Sequence, residues 1–382
     1  MQTREKPLSK QIVHAPSRGL AVRSAAIVTR GLRDLTRDSN WLVQRVFSGH
    51  ASHLGVSPAG QVCAVSYGGR LEQMSLYQIE GSSTGIVLSV PGESGERLKE
   101  APAALACSPT GRYLVAAWGA WPPDLHSFDL QAKIFLGKFG KFSAFPSALA
   151  WSDNGKYFAA ASARNCDGIL RLWAAPAAQQ GDRHFADPPA AELALADVTP
   201  LIQRSEHSIP GGIPCDEAAA AGFGRLAFRP SGDTLAAAVE IEGEWADDAI
   251  VFLAVPTLAA RGASLVQGHV TDMSWNFDGS QLIFCSAGQA YRLLAAAKEP
   301  VALPFGAELC VCHPHLPLCL CFSSWLKNSA KGRVFLADLN HLTVLDEHTA
   351  SGIADLRWSL DGSKAYAVTS DGLAYIYEPP IL

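Results

Sequence analysis

Residues 268–294 read GHVTDMSWNFDGSQLIFCSAGQAYRLL, and this stretch decides the fold. A Gly-His pair is followed by a short alternating strand that ends at Trp275, and then by the four-residue turn Asn-Phe-Asp-Gly. In such a turn the Asp side chain hydrogen-bonds to nearby backbone, and the Gly supplies the positive φ that closes it. A second apolar strand, a Ser-Ala-Gly turn and a third strand follow. The pattern predicts an antiparallel meander.

The same unit recurs along most of the chain. Its first turn is found at seven places, once in a degenerate form: SPAG (57–60), SPTG (108–111), SDNG (152–155), RPSG (229–232), NFDG (276–279), HPHL (313–316) and SLDG (359–362). A short alternating strand precedes each turn, and a denser apolar strand, typical of burial on both faces, follows it. Most of the turns start 37 to 51 residues apart. Four-stranded repeats with periods of about 40–45 residues are typical of β-propeller blades.

The chain resembles the WD40-type β-propellers over about residues 41–382. The motifs of that family are present in eroded form: Gly-His at 49–50 and 268–269, Trp173 followed by Ala174 where the family has Trp-Asp, and Ser-Asp-Gly at 370–372. No unit carries the complete His-Ser-Asp-Trp set, and the related TolB-like and lactonase-like propellers share the Ser-Pro-x-Gly turn. The repeats and the resemblance together predict an all-β fold with a single seven-bladed β-propeller.

The last unit lacks a fourth strand, because its third strand ends at Tyr377 and only residues 378–382 follow. The segment WLVQRVF, residues 41–47, lies directly before the first Gly-His pair, where a fourth strand belongs. We therefore predict that this N-terminal strand completes the last blade. Such closure leaves no open sheet edge that could pair with another chain.

One interval between turns, from 152 to 229, is 77 residues long. It contains an insertion at about 176–222 that is rich in Ala, Pro, Asp and Gln. The insertion could hold an eighth blade, but it shows only one strand pattern, ELALA at 192–196. We interpret this pattern as the fourth strand of the third blade, placed between two long loops. Loops of this length are usually functional or disordered.

The charge of the chain is unevenly distributed. The formal net charge is −5, but residues 1–40 contain eight Lys and Arg against three acids, which leaves −10 for the remainder. The acidic balance argues against a nucleic-acid partner. The first 40 residues are either an organelle transit peptide or an extended basic arm, and we favour the arm. No apolar run approaches the roughly 20 residues of a transmembrane helix.

Four of the nine cysteines are close together, at positions 310, 312, 319 and 321, beside His313 and His315. Zinc sites favour two to four residues between paired cysteines, which this spacing does not provide. When the repeats are aligned on their first turns, the four cysteines fall at core positions. We therefore interpret them as core packing rather than as a metal or redox site. We expect no cofactor. Cysteines in this pattern indicate a reducing compartment, which predicts a cytoplasmic protein, with a nuclear or organellar location as the alternative.

In WD40-like rings the turns between second and third strands open onto one face. Here these turns carry aromatic residues, and five acids surround one of them. Trp is enriched at binding hot spots, and carboxylates attract basic partners. We predict a binding face for a basic protein or peptide partner, formed by Tyr67, Trp118, Trp121, Glu240, Glu242, Glu244, Trp245, Asp247, Asp248 and Trp325. For Trp118 and Trp325 the alternative is that they end their strands inside the blade.

Catalytic and nucleotide-binding motifs are missing from the sequence: there is no G-x-x-x-x-G-K-[ST], no G-x-S-x-G and no H-E-x-x-H. We therefore predict a non-catalytic interaction platform that serves as a subunit of a larger complex. The alternative is a lactonase-like or TolB-like propeller with a small-molecule or metal site in its central channel. Asp272 and Asp355, on inner strands, would then contribute to the site.

Overall fold

Four-stranded antiparallel sheets are the building block of the molecule, and the described residues form seven of them. The computed structural model describes residues 41–66, 74–80, 85–88, 104–118, 123–143, 146–162, 168–176, 185, 188–203, 220–241, 247–295, 299–324 and 332–379. In each sheet, strands that follow one another in the chain are neighbours. The seven sheets confirm the predicted seven-bladed β-propeller.

The first three blades contain twelve strands. Blade 1 consists of β2 (Ala51–Val56), β3 (Gln61–Ser66), β4 (Met74–Gln78) and β5 (Ile86–Leu88). Blade 2 consists of β6 (Ala104–Cys107), β7 (Tyr113–Trp118), β8 (Asp124–Asp129) and β9 (Ile134–Phe139). Blade 3 consists of β10 (Pro146–Trp151), β11 (Tyr157–Ser162), β12 (Ile169–Ala174) and β13 (Ala191–Ala194).

The other four blades complete the ring. Blade 4 consists of β14 (Ala220–Phe228), β15 (Thr234–Ile241), β16 (Asp248–Ala254) and β17 (Ala260–Val266). Blade 5 consists of β18 (Val270–Trp275), β19 (Gln281–Ser286), β20 (Gln289–Leu294) and β21 (Val301–Ala302). Blade 6 consists of β22 (Leu309–Cys312), β23 (Leu318–Ser323), β24 (Arg333–Asp338) and β25 (Thr343–Thr349). Blade 7 consists of β26 (Ile353–Trp358), β27 (Ala365–Thr369), β28 (Leu373–Tyr377) and β1 (Trp41–Arg45).

The core lies between neighbouring blades and is densest at their second strands. In β15 every residue from Leu235 to Val239 has no exposed surface, and three of these five residues are alanine. In β7 the same holds from Leu114 to Ala117. These strands are covered on both faces by adjacent sheets, which pack about 10 Å apart. Small side chains fill that narrow space, which explains why the second strands are rich in Ala and Cys.

The turns between first and second strands interlock at one end of the ring, which we call the turn face. In six of the seven turns the fourth residue is a glycine with positive φ, for example 67° at Gly111 and 72° at Gly232. A Cβ on Gly111 would lie 2.6 Å from the Cβ of Ala59 in the preceding blade, and a Cβ on Gly232 would collide with Asn154. Glycine is therefore required both by the backbone conformation and by the close approach of the next turn.

The N-terminal strand closes the ring as predicted. Strand β1 pairs antiparallel with β28, in a register that runs from Trp41 opposite Tyr377 to Arg45 opposite Leu373. The rings of Trp41 and Tyr377 are 4.9 Å apart. Blade 7 is therefore built from both ends of the described chain, and its outer strand covers the edge that β28 would otherwise expose.

The insertion differs in part from the prediction. Strand β13 is the fourth strand of blade 3, as expected, but it ends at Ala194, and Leu195 begins helix α1 (Leu195–Gln203). Val198 and Ile202 of this helix are fully buried against blade 4. The prediction extended the strand through residue 196 because ELALA alternates as a strand does. The helical spacing of Leu195, Val198 and Ile202, three to four residues apart, outweighs that short alternation.

Candidate partner-binding face and central channel

The connections between second and third strands meet at the end of the ring opposite the turn face, which we call the loop face. Each sheet is a meander with the same strand order, so the chain reverses direction at equivalent points in every blade. The predicted aromatic residues belong to four of these connections: β3 to β4, β7 to β8, β15 to β16 and β23 to β24. The topology therefore assigns all four connections to one face.

Most of the predicted binding residues lie within those connections, outside the described residues: Tyr67, Trp121, Glu242, Glu244, Trp245 and Trp325. Trp118 is the last residue of β7, and its backbone pairs with Asp124. The structure describes the backbone of Trp118 but not its side chain. Glu240 is described and half-buried near the end of β15, where it pairs with Asp248 at the start of β16.

Two of the predicted acids are not part of an accessible rim. Asp248 is 1% exposed and accepts hydrogen bonds from the Val270 amide (2.7 Å) and from His269 Nδ1 (3.0 Å). Asp247 is 8% exposed and accepts one from the Gly268 amide (2.9 Å). Their carboxylates hold the Gly-His pair at the entry to blade 5. The prediction treated both residues as accessible partner-binding acids, whereas both are buried and bonded within the chain.

The environment of Asp248 is electrostatically unfavourable for a carboxylate. Burial raises the pKa of Asp248 to about 6, although the Val270 amide and His269 favour the charged form. The negative charge of the neighbouring Glu240 raises this pKa further. A buried carboxylate needs such donors to remain ionised near neutral pH. His269 of the Gly-His pair and the next residue, Val270, supply them.

Other carboxylates on the loop face were not predicted. Asp371 is exposed in the turn between β27 and β28, and Asp197 is exposed in the first turn of α1. Glu308 accepts a hydrogen bond from the hydroxyl of Ser324, which is the residue before Trp325. Helix α1 begins at this face, because the Leu195 amide donates to the Gly168 carbonyl at 2.9 Å, just before β12. These residues extend the acidic character of the face beyond the 240–248 connection.

The central channel is lined by the first strands, whose channel-facing edges have no neighbouring strand in their own sheets. Asp272 accepts the Cys310 amide of the next blade at 2.9 Å, and Asp355 accepts the Val56 amide of the next blade at 2.7 Å. Each carboxylate also accepts an amide of its own strand. Unpaired backbone donors on a strand edge need such acceptors. The two carboxylates therefore join neighbouring blades.

Charges of both signs surround these channel carboxylates. Burial raises the pKa of Asp272 to about 6, while the Arg225 guanidinium and the bound amides favour the charged form. Burial also raises the pKa of Asp355, and the Arg357 guanidinium, 3.9 Å from its carboxylate, acts in the opposite direction. The two carboxylates and the guanidinium groups of Arg225 and Arg357 form a cluster in which opposite charges partly compensate, rather than an open acidic site.

The clustered cysteines lie in the core of blades 5 and 6, as predicted. Cys310 is opposite Cys321 and Cys312 is opposite Cys319 on strands β22 and β23, and all four are buried free thiols. Burial raises the pKa of Cys312 well above its usual range, and raises that of the neighbouring Cys285 to about 12. These groups are therefore neutral thiols, which behave as small apolar side chains.

Two further features concern metals and membranes. Within the described ranges, no group of three or more His, Cys, Asp or Glu side chains is arranged to hold a metal ion. No helix in the part of the chain that the structure describes has the length and apolarity needed to cross a membrane.

One segment, which starts in β9 of blade 2 and continues through three strands of blade 3, also matches a known repeat in sequence. Residues 137–174, from β9 to the end of β12, match the WD40 family, described as WD domain, G-beta repeat. The chain therefore contains one segment similar to a WD40 repeat, and this segment lies within a seven-bladed β-propeller ring. The match covers the Trp173 strand, whose Trp-Ala ending is one of the eroded motifs of the sequence.

Solved structures support the fold. One chain of a crystal structure of the mitotic checkpoint complex is similar with a TM-score of 0.59, over 98% of this chain and 100% of that chain, at 12% identity. A likeness at this identity establishes the fold alone. Because 1397 chains of solved structures match, the likeness does not single out a partner. No curated protein sequence matches the chain.

Proposed function

We propose that the protein is a non-catalytic interaction scaffold that binds a basic protein or peptide partner on its loop face. The observation that carries the proposal is the uniform strand order of the seven blades, which assigns the connections with Tyr67, Trp118, Trp121, Trp245 and Trp325 to one face. Aromatic side chains on a common face supply large apolar contact area at small cost in side-chain entropy.

The charges on the same face support a basic partner. Glu240 lies near the end of β15, Glu242 and Glu244 belong to the β15–β16 connection, and Glu308 and Asp371 belong to blades 6 and 7. Opposite charges steer association and suppress wrong partners more than they add affinity. We therefore assign affinity to the aromatic residues and selectivity to the carboxylates. The similar chain in the mitotic checkpoint complex belongs to a multi-protein assembly, which accords with a role as a complex subunit.

A site in the central channel is not proposed as a second function. The carboxylates of Asp272 and Asp355 each accept two backbone amides, one of them from the next blade. Joining blades accounts for both residues without a ligand.

Binding measurements with face-specific variants test the proposal. The partner is first isolated with the full-length chain and identified by mass spectrometry, and its affinity is then measured by calorimetry. Replacement of Trp121 and Trp245 by Ala should weaken binding at least about tenfold, the range of hot-spot residues.

The matched control replaces two exposed apolar residues at the opposite face, Phe277 and Leu294, which are 37% and 43% exposed, by Ala. This control should leave the affinity unchanged. Equal affinity of the wild type and the Trp121→Ala, Trp245→Ala variant would contradict the proposal, as would a loss caused only by the control.

A further inference from the structure

The turn face has a groove at the seam between blade 7 and blade 1. Its volume is about 510 Å³. Blade 1 contributes its first turn, including Pro58, the last residue of β4, Gln78, and Glu80 just after it. Blade 7 contributes its own first turn, including Leu360, Asp361 and Lys364. We call this feature the seam groove.

The seam groove is acidic because its single described cation is already shared. Lys364 Nζ lies 2.7 Å from both Glu80 carboxylate oxygens and 2.9 Å from Glu378 Oε1. Asp361 is a third carboxylate, and hydrogen bonds from Ser359 and Ser363 lower its pKa to about 2. Two carboxylates therefore share one ammonium group, Asp361 adds a third negative charge, and Glu80 and Glu378 remain about half exposed.

The groove also has an apolar surface. Leu360 is 52% exposed, one of the largest exposures of any described hydrophobic residue. It occupies the second position of its turn, where blade 1 has Pro58. Exposed apolar surface beside a patch of net negative charge suits an extended segment that carries both basic and apolar side chains.

The basic N-terminal segment enters the propeller beside this groove. Trp41 pairs with Tyr377, and the next residue, Glu378, contacts Lys364 of the groove. The preceding 40 residues carry a net charge of +5 and include apolar residues between the arginines. An extended chain spans at most about 3.6 Å per residue, so Arg37 lies within about 14 Å of Trp41.

We propose that this basic arm, residues 1–40, docks in the seam groove, with arginine side chains on the carboxylates of Glu80 and Asp361 and apolar side chains on Leu360 and Pro58. Covalent tethering favours this occupant over a free peptide, because a short tether gives an effective concentration in the millimolar range. The docked arm would lie across the junction at which the first and last blades meet. This surface is on the opposite face from the proposed partner site and does not depend on it.

Limited proteolysis of the full-length chain tests the docking. Trypsin cleavage after Arg30, Arg33 and Arg37 is timed by mass spectrometry at low ionic strength. Replacement of Glu80 by Gln and Asp361 by Asn removes two carboxylates of the groove. We expect cleavage in the arm to become at least about threefold faster, and the difference to disappear near 1 M salt, where the Debye length is about 3 Å.

The chain offers a closely matched control. Asp278 holds the same turn position in blade 5 as Asp361 does in blade 7, and accepts the Ser280 amide at 2.8 Å. Glu347 pairs with Arg333 and is 55% exposed, compared with 46% for Glu80. The Asp278→Asn, Glu347→Gln variant changes the net charge equally, and its arm should be cleaved at the wild-type rate.

Several results would overturn the proposal. Equal cleavage rates in the wild type and the groove variant exclude docking by these carboxylates. Protection that increases with protein concentration assigns the groove to the arm of a second copy instead. Acceleration that persists in 1 M salt excludes an ionic contact.

The groove variant could loosen the propeller itself, and cleavage inside residues 41–379 would reveal this. A second measurement keeps the proposal testable in that case. The converse variant replaces Arg30, Arg33 and Arg37 by Gln and leaves the described sheets unchanged. Amide hydrogen exchange at residues 359–363 should become faster in this variant, since the docked arm no longer covers the turn. Unchanged exchange there would overturn the proposal.

Discussion

Tryptophan side chains connect the blades at the level of single residues. Trp151, Trp275 and Trp358 each end a first strand and donate the indole N–H to a carbonyl on the first strand of the preceding blade. The Nε1 to oxygen distances are 3.2 Å to Ala106, 3.2 Å to Ala227 and 3.1 Å to Val311, respectively. Each indole donor therefore joins the first strands of two neighbouring blades.

Trp173, the best match to the family motif, has lost this kind of bond. It is fully buried, with its ring 5.3 Å from Phe139 and 6.0 Å from Phe158. Its Nε1 has no hydrogen-bond acceptor within the part of the chain that the structure describes. Trp173 therefore acts through packing, and its N–H carries a desolvation cost that no bond offsets.

These two environments predict different costs for the same substitution. Trp275→Phe should lower the free energy of unfolding by about 1 kcal/mol more than Trp173→Phe, because only the former breaks a hydrogen bond. Both changes remove the same ring volume, so each serves as the control for the other. Urea unfolding followed by fluorescence and circular dichroism measures the difference, and equal or reversed costs would contradict it.

Asp272 makes stability depend on pH in a defined direction. Its pKa is raised to about 6 in the fold, whereas an unfolded Asp has a pKa near 3.9. Between these values the folded state binds more protons than the unfolded state, so stability falls as pH rises from about 4 to about 6.

The Asp272→Asn variant should therefore lose less stability than the wild type between pH 4.5 and pH 7, by about 1–2 kcal/mol. The measurement is the urea midpoint at the two pH values. Asp361→Asn is the control, because the pKa shift of Asp361 has the opposite direction. The pKa of Asp361 is lowered to about 2, so its contribution to stability is lost only as pH falls through that value. A pH profile of Asp272→Asn identical to the wild type would contradict the assignment.

At the scale of elements, the closing strand β1 decides whether blade 7 is complete. Its inward side is anchored by Trp41, whose ring lies 4.9 Å from that of Tyr377 and 6.2 Å from that of His348 in blade 6. Its outward side exposes Leu42, at 55%. The strand is therefore held by one aromatic anchor and by its ladder with β28.

Replacing the anchor should open the closure. Trp41→Ala should reduce the free energy of unfolding by about 2 kcal/mol, less than the 3–5 kcal/mol of a fully buried aromatic residue because Trp41 is only partly buried. The matched control on the same strand, Leu42→Ala, should change it by no more than about 0.5 kcal/mol. Hydrogen exchange of β28 should become faster in the first variant only, and the same exchange rate in both would contradict the role of Trp41.

At the scale of the whole molecule, the ring separates two surfaces. The loop face carries the proposed partner site, and the turn face carries the seam groove with net negative charge. The seven-bladed architecture was predictable because the Gly-ending turns recur. Each turn depends on local backbone chemistry, so four residues are enough to recognise it. Helix α1 was not predictable as a helix, because the five-residue alternation at 192–196 overlaps its start and its apolar residues find their packing partners only in blade 4.

The candidate site was predictable only in part. The sequence alone indicated which connections carry aromatic residues, and topology then assigned these connections to one face. The sequence did not reveal that Asp247 and Asp248 are buried. An acid beside a Trp-bearing loop gives the same sequence pattern whether its side chain faces solvent or a neighbouring turn. Their partners at 268–270 are about twenty residues away, beyond any local signal.

The sequence by itself therefore determined the repeat, the number of blades, the closure by β1 and the apolar role of the clustered cysteines. These features follow from local turn chemistry and from the alternation of side chains within a strand. Only the tertiary structure decided which polar groups are used between blades, as with Asp272, Asp355 and the indole donors, and where net charge remains exposed, as in the seam groove. The reason is that these properties arise from contacts between residues far apart in the chain, whose distances and burial are set by the closed ring.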